Sequence, residues 1–281
     1  MAMVINTNIG SINSQRQLTS TNNALSTSME RLSSGLRVNS AKDDAAGLAI
    51  SNRMTSQIRG MTVGVRNAGD GISMAQTAEA AMGELTNTLQ RMRDLAVQSA
   101  NRGAVSDSDR EKLQTEFSQL NDELSRIVTN TEFNGKKIIN GSLSGTLNVK
   151  FQIGANTASD NQIAISINNV STTLSNVTAA SIGSTATSAN VLSAIDIIDQ
   201  AIKDIDTSRA TLGAIQNRFT TTISNLQSSI ENQAAAKSRI VDTDFAAETA
   251  ALSRNQILQQ AGTAMLSQAN QAPQAVLGLL R

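Results

Sequence analysis

The sequence predicts a mainly α protein: long antiparallel helices packed as coiled-coil rods, one small β-hairpin, and N- and C-terminal segments that pair. Three observations carry this. Apolar residues recur at alternating three- and four-residue spacing over long stretches, which is the stripe of helices lying side by side. Proline occurs once in 281 residues, at Pro273, so almost nothing interrupts a helix. Strict two-residue alternation is confined to one short region between Leu147 and Ile167.

Taken in order, Leu18, Leu25 and Leu32 alternate with Asn22, Met29 and Leu36 in a weak first stripe. A clearer one runs Ile58, Met61, Val65, Ala68, Ile72, Ala75 and, after a slip, resumes as Met82, Leu85, Leu89, Met92, Leu95. From Ile58 to Ala100 such a helix would span about 65 Å at about 1.5 Å per residue. Asn101-Arg102-Gly103 ends it, and Ser106 with Asp109 three residues on resembles a capping box for the next helix, whose stripe is Leu113, Phe117, Leu120, Leu124, Ile127. Phe133-Asn134-Gly135 signals a turn. The runs Leu147, Val149, Phe151, Ile153 and Ile163, Ile165, Ile167 then predict a hairpin over about 138–170, with the polar stretch from Gly154 to Gln162 as its loop. Residues 171–190, rich in Ser, Thr and Ala, read as an exposed loop. Helix returns near Ser188 to Val191 with Ile195, Ile198, Ile202, Ile205, a break at Arg209, then Leu212, Phe219, Leu226 beside Ile223, Ile230. Phe245 and Leu252, and Leu258, Met265, Ala272 and Leu279, continue at seven-residue spacing.

Composition excludes most chemistry. There is no His, Cys, Trp or Tyr, which removes thiol nucleophiles, Ser-His pairs and soft metal sites. Twenty-three basic residues balance 23 acidic ones and aromatics make up 2%, so the basic, stacking surface of a nucleic-acid binder is missing. No run approaches the 18 apolar residues of a membrane span, and MAMVINTNIG has neither the basic nor the long apolar region of a secretory signal, which by itself points to the cytoplasm. An enzyme or a small-molecule binding module would need a buried cluster of titratable groups or a sizeable apolar pocket.

One stretch looks like chemistry: RLSSGLRVNSAKDDAAGL, residues 31–48. Its glycines do not fit GxxxxGK[ST], and no strand precedes them, so it is not a phosphate loop. Asp43-Asp44 lacks the spaced carboxylates of a calcium loop; a solvated or salt-bridged helix start is the better reading. Gly35 and Gly47 are expected as bend points, and the charges as partners in inter-helix and inter-subunit ion pairs. The terminal stripes, with Asn22, Ala269 and Ala272 at seam positions, are too weak for stable isolated helices. They gain stability only by burial against each other or against neighbouring molecules.

RLSSGLRVNSAKDDAAGLAI (31–50), LQRMRDLAVQSAN (89–101), QTEFSQLNDELSRI with TEFNGKK (114–137), SRIVDTDFAAETAALSRNQILQQAGTAML (238–266) and VLGLLR (276–281) resemble bacterial flagellin. The resemblance covers about 1–140 and 190–281, with a short middle that lacks large outer domains. It implies a secreted structural subunit, not an enzyme and without cofactor or metal, that polymerises into the helical flagellar filament. Its partners would be itself, hook-associated and cap proteins, an export chaperone at the C-terminal segment and a host toll-like receptor, with no nucleic acid or membrane. It implies a terminal coiled coil over 1–45 and 239–281, disordered in the monomer, and a central rod over 46–238. The implied assembly seams are Leu18, Leu25, Met29, Leu32, Leu36, Leu258, Met265, Val276 and Leu279. Arg91, Leu95 and Glu116 match the receptor-contacting positions. Gly35, Arg37, Asp43, Asp44 and Gly47 lie in the hinge and export region. Type III export would correct the cytoplasmic reading. The alternative within the class is a hook–filament junction protein, which would cap a junction instead of propagating.

Overall fold

In a computed structural model, residues 7–142 and 149–279 are described, with side chains through residue 271. The long helices are α1 (Ile9–Ser34), α2 (Ala45–Ala100), α3 (Asp107–Asn130), α5 (Ser188–Val241) and α6 (Phe245–Leu279), joined by a short α4 (Val170–Thr178). Two antiparallel hairpins interrupt them: β1 (Glu132–Phe133) with β2 (Lys136–Lys137), and β3 (Val149–Gln152) with β4 (Gln162–Ile165). Leu147, and the side chains of Val276 and Leu279, lie outside the described residues.

The chain divides into two compact units, Met1–Ser56 with Glu231–Arg281, and Gln57–Ile230. The divisions fall about ten residues inside the boundaries expected at 45/46 and 238/239, so the start of α2 and the end of α5 group with the terminal segments.

The larger unit holds the apolar core. On α2 the buried stripe is Ala68, Ala75, Ala78, Met82, Leu85, Leu89, Met92 and Ala96. The expected slip before Met82 is absent: Ala78 carries the register through. On α5 the stripe is Val191, Ala194, Ile198, Ala201, Ile205, Leu212 and Phe219, with buried Ser208 in register between Ile205 and Leu212. The expected break at Arg209 is therefore also absent. A serine occupies one core position of an unbroken helix, its hydroxyl donating to Asp204 O at 3.0 Å, which satisfies it without interrupting the backbone ladder. Arg93 bonds Asp199 at 2.6 Å and Phe219 meets Gly71, so α2 and α5 run antiparallel. Phe117, Leu124 and Val128 close the core from α3.

The expected hairpin is β3–β4, with Phe151 opposite Ile163 and Val149 opposite Ile165. It lies close on α2: Asn67 Nδ2 donates to Gln152 O at 2.7 Å, and a Cβ on Gly64 would stand 2.1 Å from Ile153 O. Only glycine admits a backbone at that distance. Phe133-Asn134-Gly135 proves to be the tip of a separate two-residue hairpin, with φ of 49° at Asn134 and 73° at Gly135, the left-handed pair that a type I′ turn requires.

The exposed loop expected at 171–190 is corrected. Residues 170–178 form α4, whose Val170, Leu174 and Val177 are buried at helical spacing, and Ile182 and Ala186 beyond it are buried too. Ser and Thr fill the solvent face, so the apolar signal is sparse in composition but regular in position.

In the smaller unit, α1 and α6 run antiparallel. Asn8 Nδ2 donates to Ala269 O at 2.7 Å, Gln259 Nε2 to Asn22 Oδ1 at 2.8 Å, and Arg31 pairs with Glu248 at 3.7 Å. Between the helices, Arg37 N–H donates to Val241 O at 2.6 Å, and Leu36 bridges Asp242.

Candidate interaction surfaces

The inward face of α1 repeats at three and four residues: Ser11, Ser14, Leu18, Thr21, Leu25, Ser28, Leu32 are its buried or half-buried positions. On α6 the matching set is Glu248, Leu252, Asn255, Gln259, Gly262, Leu266, Ala269. This is coiled-coil geometry with mostly small or polar residues at the seam. Leu18 Cδ1 lies 3.3 Å from where a Cβ of Gly262 would stand, so the helices approach closely there. Leu18, Leu25 and Leu32, expected between subunits, are therefore engaged inside the chain; Leu36 lies beyond the helix end, in the bridge to Asp242.

The outward face is different. Ile9, Ile12, Met29, Phe245, Ile257, Leu258 and Met265 are exposed, Ile257 at 65% and Met265 at 64%. Val38 and Val241 are the fully buried hydrophobic side chains of this unit among the described residues. Many of its large apolar side chains therefore point to water. An open groove of about 460 Å³ runs along the pair, with Gln17 and Thr21 on one wall and Leu258 and Met265 on the other.

The 31–48 stretch resolves into caps. Gly35, at φ 71°, ends α1 in the left-handed conformation and donates its N–H to Arg31 O at 2.8 Å. Gly47 is no bend point. It lies in the first turn of α2, its N–H donates to Asp44 Oδ1 at 2.8 Å, and a Cβ would stand 2.3 Å from Asp44 Oδ2, so it is glycine to admit the cap. Asp43 Oδ2 accepts from Ser40 N–H and Oγ–H, both at 2.9 Å, and from Asn39 N–H at 3.2 Å. The Ser40 hydroxyl, followed by its N–H, holds the Asp43 carboxyl below the usual range. Both carboxylates thus serve as local caps, and neither forms a salt bridge among the described residues. Arg31 is the residue of this stretch that forms an inter-helix ion pair. Arg37 donates from its guanidinium to Ile240 O, tying the α1–α2 link to the end of α5.

On the larger unit, Arg91 Nη2 and Nε donate to Glu116 Oε1 at 2.7 and 2.9 Å, both side chains open to solvent. Leu95 is 1% exposed and belongs to the core, which corrects its expected place on a contact face. On that turn of α2 it is Arg91, Asp94, Val97 and Gln98 that face solvent.

Sequence reasoning missed Arg110. It is fully buried, and its guanidinium donates to Ala186 O at 3.0 Å, Ser99 Oγ at 3.2 Å, and Ile182 O and Ser184 O at 3.4 Å. Among the described residues its salt-bridge partner is Asp107, at 3.4 Å and largely in water. A buried cation is tolerated when its donors are satisfied, and here carbonyls satisfy them. The signal was present in the register: Arg110 stands seven residues before Phe117, on the core stripe of α3. Arg102 donates to Ala186 O, while Gln114 Oε1 accepts from Ile182 N–H at 2.7 Å. Glu111 Oε2 accepts from Ser184 Oγ–H at 2.8 Å and N–H at 3.3 Å. One face of α3 thereby clamps the segment after α4.

The Ser184 hydroxyl, then its N–H, lowers the Glu111 pKa. A folded pKa below the unfolded one gives stability present above the unfolded value and lost as pH falls through the folded one. On acidification below the usual glutamate range, amide exchange at Ser184 is expected to rise relative to Ile182, which the non-titrating Gln114 holds. Glu111→Gln should remove that pH dependence; a constant ratio in the parent protein would refute the link.

Rods that store their core in one unit and turn the apolar side chains of the other outward define a structural class, a subunit that works by being packed. Sequence models of the bacterial flagellin N-terminal helical region and C-terminal helical region match residues 5–144 and 195–280. The chain is 40% identical over 380 aligned positions to flagellin D of Vibrio cholerae and to flagellin D of Vibrio anguillarum, covering all of each sequence. A flagellar hook-associated protein from Vibrio parahaemolyticus, 13% identical with a TM-score of 0.59 over 71% of this chain and all of that one, shares the fold.

The chain belongs to the bacterial flagellin family. It is a structural, non-enzymatic subunit of the extracellular flagellar filament, in a family that self-polymerises. The 380 aligned positions against 281 residues make it a short form.

Proposed function

We propose that the chain polymerises by burying the outward faces of α1 and α6 against neighbouring copies. The observation that carries this is the concentration of exposed large apolar side chains, Ile9, Ile12, Met29, Phe245, Ile257, Leu258 and Met265, on a helix pair whose own seam is largely small and polar. An isolated pair of this kind is marginal, and assembly stabilises it by mass action. Met29, Leu258 and Met265 act as inter-subunit contacts, whereas Leu18, Leu25 and Leu32 hold the pair together. Purified monomer added to sheared filament seeds is expected to elongate them without any other protein. Elongation that needed additional junction proteins would support the hook–filament junction reading instead.

Two further roles rest on the resemblance. Arg91 and Glu116 form an exposed, hydrogen-bonded charged pair between α2 and α3, suited to hydrogen-bond a flagellin-sensing toll-like receptor. Reporter-cell activation that was insensitive to Arg91→Ala would exclude that role. Export through the flagellar type III apparatus, with a chaperone docked on the apolar face of α6, would shield Ile257, Leu258 and Met265 before assembly. Competition between chaperone and filament seeds for the monomer tests it.

A further inference from the structure

The chain carries two Asn-Gly dipeptides six residues apart, Asn134-Gly135 and Asn140-Gly141. We propose that Asn140-Gly141 is a site of spontaneous deamidation through a cyclic imide, distinguished from Asn134-Gly135 by hydrogen bonds to its side-chain amide oxygen.

The geometry at Asn140 polarises the carbon that must be attacked. Oδ1 of Asn140 accepts from Ser142 N–H at 3.0 Å and from Ser142 Oγ–H at 2.5 Å. Lys137 O lies 3.2 Å from the same hydroxyl, but one proton serves one acceptor at a time and the amide oxygen is nearer. Two donors on Oδ1 stabilise the negative charge that develops there when Cγ becomes tetrahedral, as an oxyanion hole does. The departing group is not held: Nδ2 of Asn140 donates no hydrogen bond among the described residues. The next residue offers the least hindered nucleophile. Gly141 sits at φ 86°, and a Cβ there would stand 2.3 Å from the Asn169 amide, so no larger residue can take its place to shield the nitrogen.

The step balances without a cofactor. The Gly141 nitrogen, giving its proton to hydroxide, forms a bond to Asn140 Cγ. The tetrahedral oxyanion collapses, the Cγ–Nδ2 bond breaks, and Nδ2 takes a proton from water and leaves as ammonia. Water then opens the five-membered imide at either carbonyl, leaving an aspartyl or an isoaspartyl residue at position 140. Either product carries a new carboxylate. The isoaspartyl form also inserts a methylene into the main chain beside Ile139, whose carbonyl accepts the Val170 N–H at 3.1 Å at the start of α4.

Asn134 is an internal control with the same Asn-Gly dipeptide. It is exposed in the type I′ turn, and its side-chain amide has no hydrogen-bond partner among the described residues. This inference does not depend on the filament reading and is read on the monomer. The full chain is incubated in heavy-oxygen water at mildly alkaline pH, and peptides holding each dipeptide are followed by mass spectrometry, with isoaspartate marked by enzymatic methyl transfer. Label is expected to enter at Asn140 ahead of Asn134. Ser142→Ala, an exposed change, should slow Asn140 about tenfold, the loss of one donor to a developing oxyanion on an open turn. Ser142→Thr should restore the rate, and Asn134 should be unaffected by both. Equal rates at the two asparagines, or an Asn140 rate indifferent to Ser142→Ala, would overturn the proposal.

Discussion

Placing aspartate at both Ile257 and Met265 is expected to stop seeded filament growth while leaving the monomer folded. Both side chains stand in water on the isolated chain, at 65% and 64% exposure, so neither supports the monomer's own packing. If neighbouring copies bury them, each contributes about 1.5–3 kcal/mol on assembly, and losing both raises the critical concentration roughly 100-fold or more. Unpaired carboxylates in the contact add a desolvation cost in the same direction. The measurement is the monomer concentration left at equilibrium with seeds, beside a thermal melt of the monomer. Growth at the parent's critical concentration would show that the outward face of α6 is not a contact surface.

Phe219→Ala is expected to produce the largest loss of monomer stability from a single side chain, about 3–5 kcal/mol. Phe219 is fully buried, lies edge-on to Phe151 with ring centroids 5.8 Å apart at 88°, and packs on the bare backbone of Gly71. Removing the ring empties a site where helix α5, the β3–β4 hairpin and α2 meet, and the edge-to-face contact is lost as well. The midpoint of thermal unfolding of the larger unit should fall by about 10 °C. A change under about 1 kcal/mol would mean that the site collapses around the smaller residue. Seeded assembly of the variant below its melting point should proceed, because the contact helices carry none of this core.

Much of the fold was legible in the sequence because it is built from long periodic helices, where one rule repeats many times. Two of the misreadings came from treating composition as if it were position. Residues 171–190 look like a loop when their Ser and Thr are counted, yet Val170, Leu174 and Val177 suffice for a short buried helix. A break was expected at Arg209, yet the polar Ser208 beside it holds its place in the α5 stripe. Leu95 and Gly47 were misread for other reasons. Leu95 carries the same apolar signal whether it meets a partner or the core, and the neighbouring register, Met92 and Ala96, places it inside. Gly47 follows two aspartates, and without the cap hydrogen bond nothing separates a hinge glycine from one that makes room for a carboxylate.

By itself the sequence determined the helical class, one hairpin and a separate turn signal, the pairing of terminal segments and the family, because apolar period, turn chemistry and extended motifs are properties of the chain written in order. Only the tertiary structure decided which apolar residues are spent inside and which remain outside. Leu18 and Leu258 are equally hydrophobic, but the close approach of α1 and α6 at Gly262 half-buries the first and leaves the second in water. It also decided that Arg110 is a buried clamp and Arg91 a surface ion. Burial depends on what the rest of the fold brings to a side chain, and a linear period marks a face without saying what will cover it.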